Sequence, residues 1–142
     1  MAISKNKKVL VGGCFDLIHA GHIHLLKHAK KVADTLIVAV LSDKYIRSYK
    51  GKQRPVFDEK HRLLIIKSMR YVDEAFICNE DPYGLNILRK IDPDAIILRA
   101  EGFETKKRII KKEFTKLKII KLKRYKSDFV STTHIINKIK SS

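Results

Sequence analysis

Short runs of β-branched and aliphatic residues alternate along this chain with longer segments in which apolar residues recur every three or four positions. The short runs are typical of buried strands, and the longer segments are typical of amphipathic helices. Five strands are predicted, at residues 8–13, 35–41, 74–79, 94–99 and 118–122. Strands and helices that alternate in this order form a parallel sheet with helices on both faces. The pattern therefore predicts a three-layer α/β/α fold around a central parallel sheet.

Helical periodicity predicts five helices, at residues 22–33, 59–70, 84–91, 105–114 and 132–139. The first helix joins the first two strands and places Leu26, Ala29 and Val32 on one face. The last helix carries a stripe of isoleucines at 135, 136 and 139, which we expect to pack in the core. Residues 48–57 include Gly51 and Pro55 among polar side chains, so this segment predicts a loop after the second strand.

The 142 residues fit one domain, and we expect it to cover residues 1–142. No apolar run approaches the roughly 18 residues needed to span a bilayer, and the start of the chain has no signal-type cleavage pattern. Two cysteines, Cys14 and Cys78, lie in apolar contexts that suit reduced packing residues rather than a disulfide framework or a zinc ribbon. These features predict a soluble, cytoplasmic protein.

Positive charge dominates the composition, with 31 Lys and Arg against 15 Asp and Glu and a formal net charge of +16. Such a field attracts phosphates, nucleic acids or acidic membranes, and charge alone does not decide among them. Residues 105–126 hold eleven Lys or Arg and one acid, Glu113. A solvated basic face is the simpler interpretation of this segment, and a patch for a polyanion or an acidic membrane surface is the alternative.

The stretch from Gly12 to His22 combines a glycine turn after a strand with the sequence HAGH at the start of a helix. A helix amino terminus presents unpaired backbone N–H groups and partial positive charge, and this geometry holds phosphate. His19 and His22 are three residues apart, so both imidazoles can point the same way, while Gly21 lets the backbone approach a ligand. Hydrogen bonds from two imidazoles would stabilise charge that develops on an α-phosphate.

Two other interpretations of these histidines stay open at this point. His19 and His22 would also occur in a helix that they merely cap. His24 and His28 are four residues apart on the same helix, a spacing that zinc sites use, but no acidic or cysteine partner stands at ligand spacing nearby. The sequence therefore predicts no metal ligands, and the glycine turn before the HAGH sequence favours phosphate binding.

Four motifs, in this order, resemble those of a known family: GGCFDLIHAGH, YKGKQRPVFDEKHR, RYVDEA and VSTTHIINKIK. The chain is similar over nearly its whole length to the HxGH nucleotidyltransferases of cytidylyltransferase type. These include glycerol-3-phosphate cytidylyltransferase, the nucleotidyltransferase domain of ADP-heptose synthase and archaeal FAD synthetase. The resemblance implies a Rossmann-like fold with the ligand at the carboxyl ends of the strands.

The resemblance also implies roles for particular residues. The expected catalytic residues are those that bind or cover the phosphates: His19, His22, Lys50 and Arg62. The expected nucleotide contacts come from the glycine turn, where Asp16 orders the chain, and from the start of the last helix: Gly12, Gly13, Cys14, Phe15, Asp16, Gly21, Ser131, Thr132 and Thr133. The expected substrate-binding residues are Arg54, Arg99 and Glu101.

The chain departs from the family pattern at two places. Relatives carry a GxD-type segment and an aromatic residue after the fourth strand, whereas this chain reads LRAEGFET, and we expect Glu101, Gly102 and Phe103 in that place. The closing motif reads RYKSDFVSTT, which displaces Arg124 by two positions. Both departures leave the base and the acceptor open.

The resemblance predicts an enzyme that transfers CMP or AMP from CTP or ATP to a small phosphorylated acceptor and releases pyrophosphate. Mg²⁺ is expected with the triphosphate. A sugar or polyol phosphate is the expected acceptor, as in lipid or polysaccharide precursor synthesis, with FMN as the alternative. The segment RYVDEA implies a homodimer by resemblance. A basic module that binds nucleic acid is the alternative of a different class.

Overall fold

Five parallel strands form the central sheet in the computed structural model, which describes residues 6–122 and 131–142. The strands are β1 Lys8–Gly13, β2 Thr35–Leu41, β3 Glu74–Cys78, β4 Ala95–Leu98 and β5 Lys118–Lys121. Their order across the sheet is β3-β2-β1-β4-β5. The chain therefore moves outwards from β1 to one edge and then crosses back to build the other half, which confirms the predicted Rossmann-like arrangement.

Six helices lie among the described residues: α1 Ala20–Val32, α2 Asp43–Lys50, α3 Glu59–Lys67, α4 Leu85–Ile91, α5 Phe103–Lys111 and α6 Thr132–Lys140. Helix α2 was not predicted, because it is short and mostly polar and only Ile46 in it is buried. The side chain of Ser42 caps it by accepting from Tyr45 N–H. None of these helices has both the length and the apolar content needed to cross a bilayer.

Alternate residues of each central strand face opposite helical layers. Val9 and Val11 of β1 belong to a core with α1 and α3, which contribute residues such as Leu26 and Ile66. Leu10 belongs to a second core with α2, α4 and α5. This division confirms the predicted three layers.

Helix α6 packs less deeply than its isoleucine stripe predicts. Thr132 is buried, Ile135 and Ile136 are half-buried, and Ile139 is 65% exposed. The expectation of a core stripe is therefore wrong at Ile139, whose side chain faces solvent. Arg124, which the sequence placed in the closing motif, lies outside the described residues, as does the end of the basic segment 105–126.

The strands β1 and β4 separate towards their carboxyl ends. Their pairing register ends at Leu10 and Ile96, although both strands continue beyond that point. The hydroxyl of Tyr83 lies between them, accepting from the N–H of Gly12 at 2.8 Å and donating to the carbonyl of Ile97 at 2.8 Å. A side-chain hydroxyl thus replaces direct pairing between the strands, and a crevice opens at the point where the strand order reverses.

Glycine at position 12 is required by the same loop. A Cβ atom there would lie 2.4 Å from Cβ and Cγ of Pro82, the residue before Tyr83. No side chain fits that distance, so Gly12 allows the 82–83 loop to lie directly against β1.

Replacing Tyr83 with Phe tests this bridge. The ring keeps its volume, but Gly12 N–H and Ile97 C=O lose their partner, and an unsatisfied buried polar group costs about 1–3 kcal/mol. We expect a loss of unfolding free energy of that size in urea titrations followed by circular dichroism. An unchanged midpoint would show that the strands close up and pair directly.

Candidate active site

The turn between β1 and α1 lies at the mouth of the crevice and has a constrained backbone. Phe15 and Leu17 adopt φ values of 53° and 49°, in the left-handed region that non-glycine residues rarely occupy. Such conformations cost free energy and persist only where surrounding contacts hold them. The contacts that hold this turn come from Asp16 and Arg62.

Asp16 ties the turn to two other parts of the chain. Its buried carboxylate accepts hydrogen bonds from the backbone N–H of Val56 at 2.6 Å and of Phe57 at 3.0 Å. Its carbonyl accepts from the hydroxyl of Thr132, at the start of α6, at 2.6 Å. The ordering role expected for Asp16 is what this geometry provides, and its carboxylate faces the protein rather than the crevice.

His19 and His22 cap helix α1 reciprocally. Nδ1 of His19 accepts from the N–H of Gly21 at 3.0 Å, and Nδ1 of His22 accepts from the N–H of His19 at 3.1 Å. The two rings therefore lie side by side, with centroids 3.9 Å apart. This arrangement is compatible both with helix capping and with phosphate binding by these histidines. Capping uses only Nδ1 of each ring and leaves Nε2 available.

The capping bonds decide which nitrogen carries the proton. A neutral imidazole has one N–H, and Nδ1 accepts a hydrogen bond in both rings, so the proton lies on Nε2. His19 and His22 therefore present two Nε2–H donors from adjacent rings. Two adjacent donors of this kind match a phosphoryl group that gains negative charge.

Burial and neighbouring charges keep both imidazoles neutral. Burial and then the neighbouring groups His19, Arg99 and Lys50, in that order of importance, together lower the pKa of His22 to about 3. Burial also lowers the pKa of His19. At neutral pH these side chains act as hydrogen-bond donors without a formal charge, so binding an anion requires positive charge from elsewhere.

Lys50 and Arg99 supply that charge from opposite sides of the crevice. Lys50 ends α2, which follows β2, and Arg99 directly follows β4. Both side chains are exposed, and both are close enough to act on the pKa of His22. The structure thus brings together the predicted catalytic lysine, the predicted substrate-binding arginine and the histidine pair.

A second group of predicted residues meets at the start of α6. Ser131 caps the helix by accepting from the N–H of His134 at 3.1 Å. Nη1 of Arg54 donates to the hydroxyl of Thr133 at 3.3 Å, while its buried Nε has no hydrogen-bond partner among the described residues. A buried guanidinium N–H without an acceptor is costly, so this corner is suited to an anionic oxygen.

Arg62 has a different position from the one expected for a phosphate ligand. Its side chain is fully buried, and Nη2 forms an ion pair with Asp43 at 2.8 Å. The remaining bonds run to the carbonyls of Phe57 at 2.9 Å and of Cys14 and Leu41 at 2.7 Å each. The guanidinium therefore holds the turn, the end of β2 and the 51–58 loop together, and this structural role replaces the expected phosphate contact.

Several expected nucleotide contacts are also used within the protein. The Phe15 side chain is 2% exposed and packs in the core, with its ring centroid 5.6 Å from that of His22. The N–H groups of Gly12 and Gly21 donate to Tyr83 and His19. A Cβ at Gly13 would lie 3.1 Å from the Phe15 ring. Gly12 and Gly13 therefore allow close packing, and the Phe15 ring lies next to the ring of His22.

The segment after β4 corrects the expectation for Phe103, while the substrate-binding role of Glu101 stays a prediction. Glu101 is exposed in the turn before α5, and Gly102 caps that helix with a φ of 69°. Phe103 is buried in the core with α2 and α4, so its ring does not line the crevice. No three His, Cys, Asp or Glu side chains cluster to hold a metal ion within residues 6–122 and 131–142. The charge in this region of the site comes from Arg99.

Two features of the site were not predicted from the sequence: Tyr83, and helix α2 with its two tyrosines. Tyr83 follows β3 in the sequence DPYG, and loops after parallel strands meet at one edge of the sheet, so its position was a usable signal. For helix α2, the usable signal in the sequence was Ser42, a residue type that often caps helices, directly before Asp43.

Replacing Arg62 with Met tests the structural assignment. Removing one partner of a buried ion pair costs about 3–5 kcal/mol, because the remaining polar groups lose their compensation. We expect a loss of that size in the free energy of unfolding. The matched control is Arg89→Met, which breaks the exposed pair of Arg89 with Glu113 and leaves the unfolding midpoint unchanged within error. Equal effects of the two changes contradict the assignment.

The tautomer and charge of the histidine pair are tested by long-range ¹H–¹⁵N NMR of the imidazole rings. We expect Nε2–H tautomers in both rings and no protonation of His22 until the pH falls towards 3. The unfolded chain takes up this proton near pH 6.5, so the contribution of His22 to stability is complete above 6.5 and decreases as the pH falls from there to about 3. A His22 titration centred near 6.5 contradicts the assignment.

Comparison with known proteins identifies the family. A family model described as cytidylyltransferase-like matches residues 10–142. The chain is 36% identical over 139 residues to the FAD synthase of Thermococcus kodakarensis, which covers 95% of this chain and 93% of that protein. It is 38% identical over 136 residues to the bifunctional protein HldE of Campylobacter fetus, which covers 93% of this chain but 28% of that protein.

A solved structure gives the same result. The lipopolysaccharide core biosynthesis protein of Thermoplasma volcanium is 32% identical and superposes with a TM-score of 0.69, over 84% of this chain and 98% of that one. The predicted resemblance and the expectation of a nucleotidyltransferase are confirmed. With its glycine turn, its histidine pair and its match over residues 10–142, the chain belongs to the cytidylyltransferase-like family.

Proposed function

We propose that this nucleotidyltransferase transfers AMP from ATP to FMN and thereby forms FAD and pyrophosphate. The observation that supports nucleotidyl transfer is the pair of neutral imidazoles whose Nε2–H groups point away from the helix that their Nδ1 atoms cap. Fixed neutral donors stabilise a phosphoryl group best when its charge increases, which happens in the transition state.

The reaction needs positioning and charge more than covalent chemistry by the protein. A phosphate oxygen of FMN attacks the α-phosphorus of ATP in line, and the new O–P bond forms as the bond to the β-phosphate oxygen breaks. That oxygen leaves with the electron pair as pyrophosphate. His19 and His22 would donate to the α-phosphate, while Lys50 and Arg99 would offset the charge of the two substrates.

The start of α6 is suited to the leaving pyrophosphate. Arg54 offers a buried Nε–H without a partner, and Thr133, which accepts from the same guanidinium, has a hydroxyl proton to donate. The amino terminus of α6 adds partial positive charge. Because Asp16 ties this helix to the turn, the pyrophosphate corner and the histidine pair are held at a constant separation.

The acceptor and the base are inferred from the relatives. FAD synthase of Thermococcus kodakarensis matches this chain over 93% of its own length, whereas the match covers only 28% of HldE. The similarity therefore includes nearly the whole of a FAD synthase. The adenylyl half of FAD requires ATP rather than CTP. We therefore propose FMN as the acceptor in place of the sugar or polyol phosphate that the sequence motifs favoured.

A sugar phosphate acceptor is the second candidate. It is favoured by the solved lipopolysaccharide core biosynthesis protein, which this chain matches at 32% identity over 98% of that protein. Lys50 and Arg99 would bind the phosphate of either acceptor. The proposal also includes Mg²⁺ as part of the ATP substrate, with the phosphates as its main ligands. The homodimer, the cytoplasmic location and the alternative of nucleic-acid binding stay predictions.

An acceptor panel tests the proposal. Purified protein with MgATP or MgCTP is offered FMN, glycerol 3-phosphate, heptose 1-phosphate and phosphocholine, and pyrophosphate release is measured with chromatography for the nucleotide product. We expect turnover with ATP and FMN and formation of FAD. Turnover with a sugar phosphate but not with FMN contradicts the proposed acceptor. Salt-sensitive binding of nucleic acid without pyrophosphate release with any pair contradicts the enzyme.

The same assay separates catalysis from helix capping. His19→Asn keeps a side chain that caps helices well but removes the Nε2–H donor. We expect kcat to fall by about 100-fold or more in His19→Asn and in His22→Ala, which is typical for the loss of one transition-state donor. His28→Ala, on the exposed face of the same helix, is the control and is expected to keep full activity. Normal kcat in both site variants contradicts the catalytic assignment.

A further inference from the structure

Helix α2 carries two tyrosines in contact with each other. The rings of Tyr45 and Tyr49 meet edge to face, with centroids 5.6 Å apart. Tyr45 is half-buried against the core, and Tyr49 is 52% exposed. The other large apolar side chains that the described residues expose to a similar degree are aliphatic: Val56, Leu64, Ile109 and Ile139. Tyr49 is thus an accessible aromatic ring that a second ring supports from one side.

Tyr49 lies next to the active-site turn. Its hydroxyl is 3.2 Å from Sγ of Cys14, the residue that follows the glycine pair. Burial and the hydrogen bond with Cys14 raise the pKa of Tyr49, so the phenol stays neutral at physiological pH. The Tyr49 side chain therefore contacts both the active-site turn and the Tyr45 ring.

The cations that act on the histidine pair also reach Tyr49. Nζ of Lys50 lies 5.8 Å from the centroid of the Tyr49 ring. The charge of Arg99 acts on the pKa of both Tyr49 and His22. The ring is therefore at the same mouth of the crevice as the phosphate-binding groups, on the side that α2 and Lys50 contribute.

We propose that Tyr49, supported by Tyr45, is the surface on which the planar ring system of the acceptor stacks, with the acceptor phosphate directed towards Lys50 and Arg99. This inference rests on the proposed function, because it takes FMN as the acceptor. It makes Tyr49 a specificity-determining residue for the acceptor, separate from the groups that bind the triphosphate.

The chemistry of the two rings supports this assignment. The isoalloxazine ring of FMN is planar and electron-poor, and a phenol ring is electron-rich, so their offset stacking is favourable. A polyol or sugar phosphate has no flat aromatic face and would gain little from an exposed tyrosine. The cations beside the ring are suited to the phosphate at the other end of the same acceptor.

Two substitutions at one position separate stacking from the contact with Cys14. Tyr49→Leu removes the ring, and loss of one stacking partner weakens binding by about 10- to 100-fold. We expect the KM and the dissociation constant for FMN to rise by that factor, with the KM for ATP unchanged within about twofold. Tyr49→Phe keeps the ring and loses only the hydroxyl, so we expect it to bind FMN within about threefold of the wild type.

Flavin fluorescence gives a readout that loss of structure alone does not produce. A stacked tyrosine quenches excited flavin by donating an electron, and a phenylalanine ring does so poorly. We expect binding to the wild type to quench FMN, whereas Tyr49→Phe binds FMN with reduced quenching. Tyr71→Leu is the matched control, because Tyr71 precedes β3 and so lies at the amino ends of the strands, whereas Tyr49 lies beside the turn at their carboxyl ends. It should keep the wild-type KM and quenching.

The outcomes distinguish this inference from the proposed function. If the wild-type protein forms no FAD from ATP and FMN, the proposed function fails first. If it does so and Tyr49→Leu keeps the wild-type KM for FMN, or raises the KM for ATP instead, the stacking surface is wrong while the proposed function stands. A rise in Tyr49→Leu that is confined to the KM for FMN, with reduced quenching in Tyr49→Phe, supports it.

Discussion

Two hydrogen bonds at the amino terminus of α1 determine the chemistry that the site can perform. The N–H groups of Gly21 and His19 donate to Nδ1 of His19 and His22, and this leaves the proton of each ring on Nε2. The same bonds cap the start of α1, because they satisfy two backbone N–H groups that have no partner within the helix. The same two hydrogen bonds therefore stabilise the start of the helix and orient the two Nε2–H donors.

The turn that carries the histidines depends on residues far away in the sequence. Arg62 and Asp16 are buried, and between them they bind backbone groups of the turn, the end of β2 and the 51–58 loop. A guanidinium or carboxylate is costly to bury unless its hydrogen bonds are satisfied, so these residues constrain the backbone around them tightly. That constraint explains how Phe15 and Leu17 are kept in left-handed conformations.

The crevice divides into three regions with different physical character. Neutral imidazoles lie at its centre, the amino terminus of α6 with Arg54 lies on one side, and Tyr49 with Lys50 lies on another. The Tyr83 hydroxyl bridges β1 and β4 where the two strands separate at the site. Fixed positions for donors and cations reduce the reorganisation that phosphoryl transfer requires.

The amino-acid sequence by itself determined the strand order along the chain, the three layers and the nucleotidyltransferase family, because strand hydrophobicity and the HAGH turn are local signals. Only the tertiary structure decided that Arg62 supports the turn and that Phe15 and Phe103 are core residues. Burial and hydrogen-bond partners depend on residues tens of positions apart, and no local pattern encodes them. The polar helix α2 formed for the same reason, since its one buried side chain, Ile46, packs in a core built by elements distant in the sequence.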